Sequence, residues 1–146
     1  MKMEKQWSCY CGLYCGNCAV NTKVFPAAKT LCEEMVHARF TDVVKNLPGG
    51  EGFWAFLTDI AENWACVSCR AGSGNPGCKV RLCAQEKGVE MCALCGSYPC
   101  ALIDNFDAGY PVLKSDNALL REKGWDAWGK LQDERRAKGY TYADGE

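Results

Sequence analysis

The sequence predicts a small, mostly α-helical single domain in which irregular, cysteine-rich knuckles bind metal. Three observations predict it. Apolar residues recur at helical steps on both sides of a cysteine-rich segment, few runs alternate as strands do, and Cys66 to Cys100 holds seven of the twelve cysteines. That segment spaces its sulfurs as Cys66/Cys69 and Cys92/Cys95 (C-x2-C) and as Cys78/Cys83 and Cys95/Cys100 (C-x4-C). Two thiolates two residues apart reach one tetrahedral metal through a tight turn, and a four-residue spacer does so from a wider loop or one helical turn.

The bulk numbers exclude several classes. A chain of 146 residues buries roughly 70% of the surface its unfolded form exposes, so a core forms without staples and the cysteines need another explanation. Lys and Arg number 17 against 18 Asp and Glu, which gives no electrostatic footprint for nucleic acid or an anionic membrane. No apolar run has the length of a transmembrane helix, and Met1–Trp7 (MKMEKQW) lacks a signal-peptide pattern. The expectation is a cytoplasmic protein, where clustered cysteines serve as metal ligands or redox groups rather than disulfides.

Residues 9–18 (CYCGLYCGNC) form a second cysteine nest, with Cys11, Cys15 and Cys18 in a C-x3-C-x2-C spacing. Gly12 and Gly16 each follow a cysteine and free the backbone to turn its amides toward sulfur. Radical S-adenosylmethionine enzymes use this spacing, but their long barrel does not fit one domain of this size.

Residues 20–64 and 101–138 supply the helical scaffold. From Val20 to Leu47 one helix is expected, with Pro26 in its first turn, Leu31, Met35, Phe40, Val43, Val44 and Leu47 on one face, and Pro48-Gly49-Gly50 as its stop. Cys32 and His37 fall within it, Cys32 as a small buried apolar residue and His37, the only histidine, as a surface or core-edge residue. Glu51–Trp64 reads as a second helix with Phe53, Phe56, Leu57, Ile60 and Trp64 as its core stripe. Cys78–Lys87 is a short helix ended by Gly88, and Pro99–Phe106 another. Asp116–Lys123, closed by Gly124, precedes a last helix over Trp125–Lys138. Tyr10, Tyr14, Tyr98 and Tyr110 lie near the cysteines in sequence and are expected to shield them.

No catalytic residue is assigned. The chain lacks G-x-S-x-G, HExxH and a Walker-type glycine loop, and whether it is an enzyme stays open. Three classes remain: a zinc-stabilised module with a protein partner on its exposed surface, an iron–sulfur protein, and a thiol-redox or metal-transfer protein.

Several stretches are similar to the small prokaryotic family called domain of unknown function 3795. They are Tyr10–Cys18 (YCGLYCGNC), Cys66–Arg70 (CVSCR), Cys78–Ala84 (CKVRLCA), Cys92–Cys95 (CALC), Tyr98–Cys100 (YPC) and Lys123–Trp128 (KGWDAW). Ser68 and Val80 depart from the family's glycine and isoleucine. The resemblance implies metal binding, zinc foremost, with an unsettled biological role. Cys9 and Cys32 fall outside the pattern, which leaves Cys11, Cys15, Cys18, Cys66, Cys69, Cys78, Cys83, Cys92, Cys95 and Cys100 as the implied ligands. Ten thiolates make two closed zinc sites and two spares. The preferred grouping joins Cys66/Cys69 to Cys78/Cys83 and Cys15/Cys18 to Cys92/Cys95, with Cys11 and Cys100 over, though other partitions fit nearly as well.

Overall fold

The computed structural model describes residues 4–145. It is mostly helical, and no strand occurs among the described residues, only an isolated antiparallel bridge between Ser8 and Tyr14. No described helix is long and apolar enough to cross a membrane. Backbone contacts divide the chain into two compact units, Ala19–Cys66 and a second made of Met1–Cys18 with Val67–Glu146.

In the unit Ala19–Cys66, a π-helical turn over Val20–Val24 leads into α1 (Phe25–His37), followed by α2 (Phe40–Lys45) and α3 (Gly50–Asn63). Pro26 sits in the first turn of α1, where its missing N–H costs nothing. The single helix expected from Val20 to Leu47 is interrupted. Arg39 takes a left-handed conformation at φ 56°, which ends α1 and re-aims the chain into α2. The apolar face therefore does not run on. Met35, Val44 and Leu57 are buried with Ala28, whereas Leu31, Phe40, Val43, Leu47, Phe53, Phe56 and Trp64 are exposed rather than core. Gly50 is required by contact. A Cβ there would lie 1.6 Å from the carbonyl oxygen of Val44, so only glycine lets α3 start against the end of α2.

The other unit holds α4 (Lys79–Glu86), α5 (Ala101–Asp107) and α6 (Leu113–Ala137). Gly124, at φ 79° and ψ −175°, breaks α6 where the sequence closes one helix and opens the next. Two small cores form here. Tyr14, Met91, Ala93, Leu120 and Trp128 make one, and Cys11, Val80, Ile103 and Leu113 the other, with Cys9, Cys78, Cys92 and Cys100 packed against the latter. A buried polar chain ties α6 to the N-terminal nest. Arg135 and Gln132 donate to Asp116, Asn17 donates to Gln132 at 2.8 Å, and Asn117 donates to the Cys11 carbonyl at 3.0 Å.

Candidate functional site

Ten cysteines lie in the unit built on the N-terminal nest, namely Cys9, Cys11, Cys15, Cys18, Cys69, Cys78, Cys83, Cys92, Cys95 and Cys100. Cys32 and Cys66 belong to the other unit. All twelve are free thiols.

The nest is shaped by its own backbone. The Cys9 N–H donates to Leu13 at 2.7 Å and the Gly12 N–H to Cys9 at 3.2 Å, closing a tight loop that presents Cys9 and Cys11. A 3-10 turn over Cys15–Asn17 follows, closed by the Cys18 N–H on the Cys15 carbonyl. This folding brings the Cys9 and Cys15 sulfurs to 3.5 Å, and the Cys11 and Cys69 thiols also act on Cys9. Those three neighbours, with burial, push the Cys9 thiol far up. Hydrogen bonding from Cys9 lowers Cys15 against the opposing effect of burial, and lowers Cys69 to about 6 with help from the Tyr10 N–H and the charges of Arg70 and Arg81. Both arginines are fixed. Arg70 donates through Nε to the Ser8 carbonyl at 2.7 Å, donates again to the Glu90 carbonyl, and lies over the Tyr10 ring. Arg81 donates to the Ser73 and Cys69 carbonyls at 2.9 and 3.3 Å.

A second gathering surrounds a small cavity of about 20 Å³, room for roughly one water-sized atom. Cys83 reaches it from α4, Cys92 and Cys95 from a 3-10 turn, and Cys100 from the residue that precedes α5, with Ala84, Val89 and Leu102 among the apolar walls. Burial, followed by the neighbouring sulfurs of Cys11, Cys100, Cys83 and Cys95, raises Cys92 to about 12. Cys95 is lowered, first by a backbone hydrogen bond at Ser97 and then by Lys87, whose Nζ lies 3.8 Å from its sulfur.

Around this cavity Cys83 lies with Cys92, Cys95 and Cys100, whereas the preferred partition joins it to Cys78. Among the described residues, however, no three or more His, Cys, Asp or Glu side chains stand already arranged to hold a metal ion. Cys78 packs at the edge of the core around Val80, and His37 is exposed on α1 beside Cys32, far along the chain from either gathering. Of the four tyrosines, Tyr14 is buried and none is fully exposed. Tyr98 lines the four-cysteine cavity, while Tyr110 stacks on Phe106. Tyr98 and Tyr110 pack against the core that contains Cys11, whereas Tyr14 packs edge-on against Trp128 in the other core.

Cys9, outside the family pattern, lies 3.5 Å from Cys15 by sulfur. Its signal is the C-x-C step to Cys11, too short for two ligands from one tight turn unless the loop closes back on itself, as the bonds of Leu13 and Gly12 make it do.

No curated protein and no solved structure matches the chain. The Lys123–Trp128 likeness lies beyond the span that the comparisons match. That span, residues 7–105, carries both sulfur gatherings and fits the family described as Protein of unknown function (DUF3795), to which this chain belongs.

Proposed function

We propose that this chain is a cysteine-rich zinc-binding protein whose metal holds its shape and whose biological action lies on exposed surface. One observation carries the reading: Cys83, Cys92, Cys95 and Cys100, drawn from three separate elements, line a single cavity with apolar walls. Four sulfurs match the number and softness of donors in a structural zinc site. The apolar walls keep water from competing, and Lys87 beside Cys95 offsets part of the negative charge that four thiolates around a dication carry. The cavity of about 20 Å³ suits one ion better than a cube of iron and sulfide, which favours zinc over an iron–sulfur cluster.

When bound, zinc would supply cross-linking between α4, the Cys92–Cys95 turn and the start of α5, because four protein thiolates leave no open position for a substrate. Free cysteines in this number fit a reducing compartment. The test is elemental analysis and a visible spectrum of protein purified without oxygen, for the wild type and Cys95→Ser. Colourless protein containing zinc, with less zinc in Cys95→Ser and a chain more sensitive to protease, is the expected result. A brown protein containing iron and sulfide, or Cys95→Ser with undiminished zinc, rejects it.

A further inference from the structure

Cys9 and Cys15 stand 3.5 Å apart, sulfur to sulfur, as two free thiols. The sulfurs of a disulfide are about 2.05 Å apart, so bonding asks for an approach of about 1.5 Å, the scale of a side-chain rotation. The backbone between them is already drawn together. Ser8 and Tyr14, the residues directly before Cys9 and Cys15, pair in an antiparallel bridge, and both are buried. Inside that bridge the Cys9 N–H donates to the Leu13 carbonyl at 2.7 Å and the Gly12 N–H to the Cys9 carbonyl at 3.2 Å. Folding therefore meets the entropy of closing the loop before any chemistry occurs, which favours a bond between these two sulfurs over one between distant thiols. Access is narrow. Cys9 is half-buried and Cys15 is only 7% exposed, so the pair admits a small oxidant and shuts out a bulky protein disulfide.

We propose that Cys9 and Cys15 are a reversible oxidation site, a dithiol that reduces a small hydroperoxide and closes to an intramolecular disulfide. One sulfur attacks a peroxide oxygen and becomes a sulfenic acid, while the O–O bond breaks and water or an alcohol leaves. The other sulfur attacks the sulfenic sulfur, the S–O bond breaks, and water leaves. The two thiols together give up two protons and two electrons, and the peroxide takes both. A cellular dithiol reverses the bond by exchange. The site uses no metal and none of the four cysteines assigned to zinc, so it stands whether or not that reading does.

The experiment treats the full reduced chain with one equivalent of hydrogen peroxide, blocks the remaining thiols by alkylation, and maps the unreduced peptides by mass spectrometry. Thiols counted after denaturation should fall by two from twelve. The Cys9–Cys15 bond should form at least about tenfold faster than any other disulfide in the chain, and dithiothreitol should restore both thiols. In urea that preference should disappear, because it comes from the folded loop. Cys32→Ser should form the bond at the wild-type rate. A first disulfide elsewhere, or sulfinic acid on Cys9 or Cys15 without a bond between them, overturns the proposal. So does a pair that resists peroxide until a chelator is added, since the two sulfurs would then be held by metal. The readout is taken on the wild-type chain and does not require a cysteine variant to fold.

Discussion

Replacing Gly12 with alanine tests whether the cysteine nest depends on the contact between its loop and α6. Gly12 has φ 108°, and a Cβ there would lie 1.8 Å from the Asn117 side-chain oxygen and 2.7 Å from its Cγ. Asn117 is fully buried and its amide donates to the Cys11 carbonyl at 3.0 Å, so it has no free direction in which to yield. Three costs follow. The strained backbone costs about 1–3 kcal/mol, the lost hydrogen bond about 1 kcal/mol, and the stranded buried carbonyl about 1–3 kcal/mol. Together they make roughly 3–7 kcal/mol, against a whole-domain stability of about 5–15 kcal/mol. Urea denaturation with and without zinc measures it, read as a shift in midpoint at constant slope. Gly52→Ala is the matched control. Gly52 lies inside α3 with nothing within 4 Å of its Cβ position, so alanine there should stabilise by about 0.8–1 kcal/mol. The Gly12→Ala/Asn117→Ala pair should cost less than the sum of the single changes, because the clash is shared. A loss below about 1 kcal/mol in Gly12→Ala would refute the reasoning, since the strain of the backbone alone exceeds that.

Two further outcomes are expected. Asp116→Ala removes the buried acceptor shared by Gln132 and Arg135 and should cost about 3–5 kcal/mol in chemical denaturation, a cost below about 1 kcal/mol showing that the pair does not brace α6. In the zinc-free chain Cys69 is held at about 6, first by the Cys9 thiol and also by the Tyr10 N–H and the two arginines. A depressed thiol pKa stabilises the fold above the unfolded value of about 8.5, and that contribution is lost as pH falls through about 6. Alkylation of Cys69 should therefore rise with a midpoint near pH 6, and a midpoint near that of an ordinary thiol, about 8.5, would contradict the arrangement around Cys9.

Much of the helical outline is legible because it depends on local chemistry. Gly124 and the Pro48-Gly49-Gly50 run mark breaks that the chain makes, and α4 and α5 fall within a residue or two of the stretches expected for them. The break at Arg39 carries no such signal. Its left-handed conformation is uncommon for an arginine and leaves no trace in apolar periodicity, so Phe40, Val43 and Leu47 read as a continuation of the α1 face when they are not. The sulfur partners illustrate the same limit. Spacing identifies Cys92 and Cys95 as a local pair, because one turn holds both. The C-x4-C step also ties Cys100 to Cys95, but spacing does not bring in Cys83, which reaches the cavity because α4 and α5 pack together. Cys9 and Cys69 act on each other across sixty residues of chain, a pairing that local spacing does not show.

The peptides of Tyr10 explain why both sulfur gatherings occur in one unit. The Tyr10 N–H is directed to the Cys69 sulfur in one gathering, and the Tyr10 carbonyl accepts from the Cys92 N–H at 2.7 Å in the other. Cys11, the next residue, acts on the Cys9 thiol on one side and on Cys92 on the other. A single turn residue therefore touches both. Its position is fixed in turn by the Arg70 guanidinium over its ring and by the Ser8–Tyr14 bridge around the loop. The aromatic ring has no metal to bind and no proton to move here. It gives Arg70 a flat surface on which to lie, and Arg70 then fastens Ser8 to Glu90 across the nest. On this geometry the C-x-C step is a spine between two sulfur clusters. The intervening tyrosine is as much a part of the site as the cysteines that flank it.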